Sequence, residues 1–162
     1  MNKKNKNCSL VEALDYKNED VIFRFTKIFN VTEEEALHIF EQTKKWLWLC
    51  SKSVTKEIDI FLFIDDSLLI IDEMWHNFML FSKDYNSYCF DKFGFFIHHQ
   101  PTTKRESEKW ELNKKANMKN YFENLKKQYN IIYDFLGRET LVIWYNDLAN
   151  EYTKEKIKLI YK

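Results

Sequence analysis

Glycine and proline are nearly missing from this chain, which carries only 2 and 1 of them. Tight turns and compact sheets lean on those residues, whereas helix interiors are harmed by them, so an all-α architecture follows. The 3 cysteines form no CxxC pair and are odd in number, which excludes a secreted disulfide framework. No apolar run approaches the eighteen or so residues of a membrane span. Charge of one sign is lacking too, because 25 basic and 25 acidic residues cancel. No global field therefore draws the protein to nucleic acid or to an anionic membrane, and only the basic stretch from Lys114 to Lys127 argues locally the other way. The N-terminal MNKKNKNCSLVEAL lacks the apolar core of a signal peptide, so the expected location is the cytoplasm.

What the chain does have is hydrophobicity, 45% of 162 residues, with a high aromatic share of 17%. That is a folded composition rather than a disordered one. Neither repeats nor a linker divide it, so residues 1–162 read as a single helical domain of about six or seven helices, frayed over 1–16, with at most a minor pair of short strands. The periodicity predicts a helix over about Asn18 to Phe29, with Val21, Phe25 and Ile28 inward. Thr32 and Glu35 form a capping box that opens a second helix from Glu33 to about Cys50. Its core positions are Ala36, Ile39, Phe40, Thr43, Trp46 and Leu47. Trp48 stands two residues from Trp46, off that face, and His38 reads as a surface or packing residue.

The run IDIFLFID over 58–65 is open between helix and extended linker. Ser67 and Ser82 are read as N-caps of two following helices, and Gly94 as a left-handed C-cap. After Gly94 an extended segment, FFIHHQP, closes at Pro101. A long charged helix is expected from about Lys104 to Tyr129, with Trp110, Met118, Tyr121, Phe122 and Leu125 on its apolar stripe. Two further helices, over 139–148 and 152–161, complete the set.

Chemistry concentrates between Asp72 and His99. The helix carrying LLIIDEMWHNFMLF is apolar nearly all round, with Glu73 and Asn77 as a narrow polar edge, so it is expected to be buried. Asp72 and His76 stand one turn apart among apolar neighbours. Burying a carboxylate and an imidazole is costly unless they pair or share a cation. The next helix places Tyr85 and Cys89 one turn apart, and His98 and His99 follow. Adjacent residues of an extended backbone point to opposite sides, so only one of that doublet is expected to face the site. Asp72, His76, Cys89 and one of His98 and His99 make a sensible first-row metal set, with zinc or another divalent ion as cofactor. Glu73 is the candidate catalytic residue, a general base toward water activated by the ion.

The segment IDEMWHNFMLFSKDYNSYCFDKFGFFIHHQP resembles the core motif of the glycine-rich domain-containing protein-like family of plants and fungi, and is similar to small bacterial proteins carrying such a segment. That pattern is an Asp, a Trp-His pair three residues on, then Tyr, Cys, Gly and a closing His. Here it falls on Asp72, Trp75, His76, Tyr85, Cys89, Gly94 and His98 or His99. Where many members have a second histidine two residues after the first, this chain has Phe78, and the glycine-rich tail is absent. The resemblance implies that the cluster is a functional unit and names no reaction. Two functions remain open at this point. One is a metal-binding helical protein, with hydrolysis as its candidate reaction. The other is a non-catalytic protein-protein interaction module whose Asp/His/Cys cluster only fixes the core; neither reading sets an oligomeric state.

Overall fold

A computed structural model describes residues 6–162, and 75% of the structure is helical. Among the described residues there is no strand; one isolated bridge joins Phe29 to Tyr161. The frayed start expected over 1–16 lies outside the described residues for 1–5. Beyond them it gives way to helix α1 (Leu10–Leu14). Ser9 caps α1 by accepting from the Glu12 amide, while Glu12 reaches back to the Ser9 amide at 2.7 Å. This short capping box opens no long apolar run, so the sequence pattern carries no periodic signal for α1.

Helix α2 (Glu19–Ile28) is capped by Asn18, and α3 (Glu33–Val54) starts on the Thr32/Glu35 capping box. All six expected core residues of α3 are buried. Trp48 is buried as well, against expectation, because α1 covers that side of α3 and the Cys8 carbonyl accepts from Trp48 Nε1 at 2.8 Å. Lys44, buried on the same helix, donates to the carbonyls of Leu14 and Tyr16 at 2.7 Å each. Burial pushes its ammonium pKa down to about 8.

The 58–65 run is extended, not helical. Its backbone finds a partner without a strand: the Gln128 side chain accepts from the Phe63 amide at 2.9 Å and donates to the Phe63 carbonyl at 3.0 Å. Asp65 then caps a 3-10 turn at Asp66–Leu68, and α4 (Leu69–Leu80) continues from it. The cap expected at Ser67 is thus displaced to Asp65, whose carboxylate accepts from the Ser67 amide. Ser82 is likewise no cap but the first residue of α5 (Ser82–Lys92), and the break falls on the Phe81 backbone. Gly94 closes α5 at φ +82°, as expected, with its amide bonded to the Cys89 and Phe90 carbonyls.

The long charged helix is two helices, α6 (Lys104–Leu112) and α7 (Lys114–Val142), separated at Asn113. Met118 and Phe122 lie exposed rather than on a buried stripe. Inside α7, Gly137 at φ +84° and ψ +168° breaks the ladder in a conformation reserved for glycine. The chain continues through a wider π-type turn, Ile143–Leu148, into α8 (Ala149–Glu151) and α9 (Lys154–Ile160). The core lies between α3 and α4. Helices α1, α2 and α7 pack on α3, and α2 and α5 on α4. The aromatic content is spent here: Phe78 sits against Tyr16, Phe40, Tyr85 and Tyr88 with ring centres 5.1 to 5.7 Å away. No helix is long and apolar enough to cross a membrane among the described residues.

Candidate metal centre

Asp72 leaves α4 on the side that meets the returning segment after Gly94. In that segment Phe95, Ile97 and His99 point inward while His98 and Gln100 are exposed, the alternation an extended backbone imposes. The inward histidine of the doublet is therefore His99. Its Nε2–H donates to Asp72 Oδ1 at 2.6 Å, a charge-assisted distance. His98 instead stacks on Phe96, ring centres 4.9 Å apart, away from the carboxylate.

His76 does not pair directly with Asp72. Its Nδ1 stands 3.8 Å from Asp72 Oδ2, beyond hydrogen-bond range, and its ring lies 4.4 Å from that of His99. With its side chain 46% exposed, against 20% for Asp72 and 13% for His99, it forms the rim of the site rather than part of the core. The expectation of a buried His76 fails because α4 is turned by one position. Asn77, expected on the polar edge, is the buried one. Its amide donates to the Val21 carbonyl at 2.9 Å and its oxygen accepts from Arg24 at 2.6 Å, tying α4 to α2.

Asp72, His76 and His99 each offer one ligand atom, and those atoms all lie within 4.8 Å of one another. These three can hold a metal ion. Cys89 is not of their number, and neither is His98. Cys89 is fully buried beside Tyr85 and the Ile97 backbone, where burial pushes its thiol pKa up. A thiol so placed is a small core residue, not an exposed nucleophile. Glu73, beside Asp72, is half-buried. Burial pushes its carboxyl up, His76 partly opposes this and Asp72 reinforces it.

The remaining motif residues assemble behind the three. Trp75 Nε1–H donates to the Tyr85 hydroxyl at 2.9 Å, and that hydroxyl donates to the Ile97 carbonyl at 2.7 Å. The Trp75 ring meets His99 edge-on, 4.3 Å between centres. Burial drives the Tyr85 phenol far up from its ordinary value, so it stays a donor. Spacing groups Tyr85 with Cys89, and the two adjoin. What spacing could not reveal is that the pair supports the segment bearing His99 instead of contributing ligands.

No curated protein and no solved structure matches this chain. One family does, over residues 8–135, a stretch running from α1 through most of α7 and including every residue just described; its description, UCP032817-like, names no activity. On that match, the chain belongs to the UCP032817-like family.

Proposed function

We propose that the protein is a metal-binding helical protein in which Asp72, His76 and His99 hold one divalent first-row ion, zinc foremost. The observation that carries the reading is the approach of three ligand atoms to within 4.8 Å of one another on a surface open at His76. Two imidazoles and a carboxylate are ordinary zinc donors, and three protein ligands leave a position for substrate or water, as in catalytic rather than structural sites. The same donor set suits ferrous iron, which makes that ion the competitor to be tested. An ion held there would take the place of the proton now shared between Asp72 and His99 at 2.6 Å, so those two side chains would have to exchange their hydrogen bond for it.

On this reading the reaction, if hydrolytic, uses Glu73 as the base. A half-buried carboxyl whose pKa is pushed up accepts a proton more readily near neutral pH than an ordinary glutamate does. A bound ion would supply Lewis acidity, Asp72 and the two histidines would hold it, and the apolar wall of Trp75 beside His99 would limit water on one side.

Calorimetric titration of chelator-treated protein with zinc, and separately with ferrous iron under anaerobic conditions, tests the proposal. One equivalent should bind, and His99→Ala and Asp72→Asn should each weaken binding at least tenfold. Zinc at a hundred times its Kd should stabilise the wild type by about 2.7 kcal/mol. Absence of binding by either ion, or binding indifferent to His99→Ala, overturns it. The interaction-module reading would then lead, resting on the exposed Leu112 and Phe122 of the α6–α7 pair.

A further inference from the structure

The buried phenol of Tyr85 takes no part in the ligand set, yet it is the hub of the motif. Its oxygen is the meeting point of three elements: the ring stands on α5, the donor to it is Trp75 on α4, and its own proton goes to Ile97 in the returning segment. Tyr85 is 1% exposed and packs between Phe78 and Phe96, with ring centres 5.1 and 5.2 Å away. A hydroxyl in such surroundings is costly unless both its donor and acceptor roles are satisfied, and here they are.

The acceptor is what gives this a consequence. Among the described residues no strand lies beside this extended segment, and such a segment has few means of fixing its register. Gly94 at φ +82° turns the chain back toward α4. Among the described residues the next polar anchor along it is Ile97, whose carbonyl accepts from Tyr85 and whose backbone also meets the Cys89 thiol. Two residues further, on the same side of the pleat, His99 meets Asp72 at 2.6 Å. A slip of one residue would present the exposed His98 in its place. We infer that Tyr85 is a positioning residue: by holding the Ile97 carbonyl and taking the Trp75 hydrogen bond, it sets which histidine faces Asp72 and at what distance. The inference rests on the metal reading for its importance, since outer partners that orient a ligand commonly control affinity ten- to a hundredfold. The geometry it asserts exists without any ion.

Tyr85→Phe keeps the ring and removes the hydroxyl. Tyr88→Phe is the matched control, because Tyr88 is equally buried and its hydroxyl donates at 3.2 Å to the Ala13 carbonyl of α1 rather than to Ile97. The readout is the imidazole nitrogen NMR spectrum of metal-free protein, in which His99 Nε2 bears the signature of a hydrogen bond to carboxylate. Tyr85→Phe should move that signal toward free imidazole, while Tyr88→Phe leaves it in place. Zinc alone, titrated into each, should bind Tyr85→Phe at least tenfold more weakly than Tyr88→Phe.

An unchanged His99 signal in Tyr85→Phe, or an equal shift in Tyr88→Phe, overturns the inference. If zinc fails to bind the wild type, the metal reading falls while the NMR comparison still decides this one. Should Tyr85→Phe not fold, an ester in place of the Ile97–His98 peptide, made by semisynthesis, weakens the same carbonyl as an acceptor and leaves every side chain intact. The His99 signal should shift there too, and its persistence overturns the assignment.

Discussion

The segment from Leu69 to His99 and the pair α6–α7 are both helical and both rich in aromatics, but they use them in opposite ways. In the first, Trp75, Phe78, Tyr85 and Tyr88 are buried and nearly every polar group among them has a named partner. In the second, Leu112 and Phe122 are 81% and 58% exposed, no residue of α6 is buried, and the first half of α7 carries lysines on the sides free of the core. Aromatic residues spaced three or four apart therefore do not by themselves mark a core. What separates the two regions is whether another element lies across the stripe. Over α4 there are α2, α3 and α5, whereas α6 packs chiefly on α7.

The sharpest way to break that comparison is to truncate one aromatic in each region. Phe78→Ala should cost about 3–5 kcal/mol in urea unfolding, since four rings close on Phe78 and cannot collapse into its space. Phe122→Ala should change stability by no more than about 0.5 kcal/mol. Equal losses at both sites would mean that α6–α7 is covered in solution and that the contrast is wrong.

A smaller effect distinguishes two neighbours within α4. Asn77→Ala leaves the Val21 carbonyl and the Arg24 guanidinium without their partner, and about 1–3 kcal/mol should be lost. His76→Ala, at the open rim, should cost the metal-free protein less than about 0.5 kcal/mol. Thermal melts in chelator read both; a His76 loss as large as that of Asn77 would return His76 to the core.

The smallest expected effect concerns pH. Lys44 titrates in the fold near 8, below its ordinary 10.5, so between those values the unfolded chain binds a proton that the folded protein lacks. Lys44 alone then makes stability rise with pH from about 8 toward 10, so the wild type should gain on Lys44→Met over that range. The thiols of Cys8, Cys50 and Cys89, pushed up by burial, draw both proteins the other way as unfolded cysteines ionise. Above pH 10 both proteins lose stability further, because unfolded tyrosines ionise while burial holds Tyr85 and Tyr88 protonated. Denaturant midpoints of both proteins at three pH values measure the difference, and a wild type that gains nothing on Lys44→Met overturns the assignment.

The sequence by itself determined the helical class, the start of α3 at its capping box, the glycine stop at Gly94 and the concentration of chemistry between Asp72 and His99. All of these are local: a cap needs a side chain three residues from an amide, and a missing proline or glycine acts on its own turn. The break at Asn113 and the cap at Asp65 escaped because competing local signals stood within a few residues of each other. Tertiary structure decided the rest. A helix apolar on nearly every side holds no record of which side will be covered, so the outward turn of His76 and the inward turn of Asn77 followed from where α2 came to rest. Likewise the alternation of an extended chain shows that one histidine of a doublet faces inward but not which one. That choice fell to His99 because Tyr85, brought over from α5, holds the Ile97 carbonyl two residues before it.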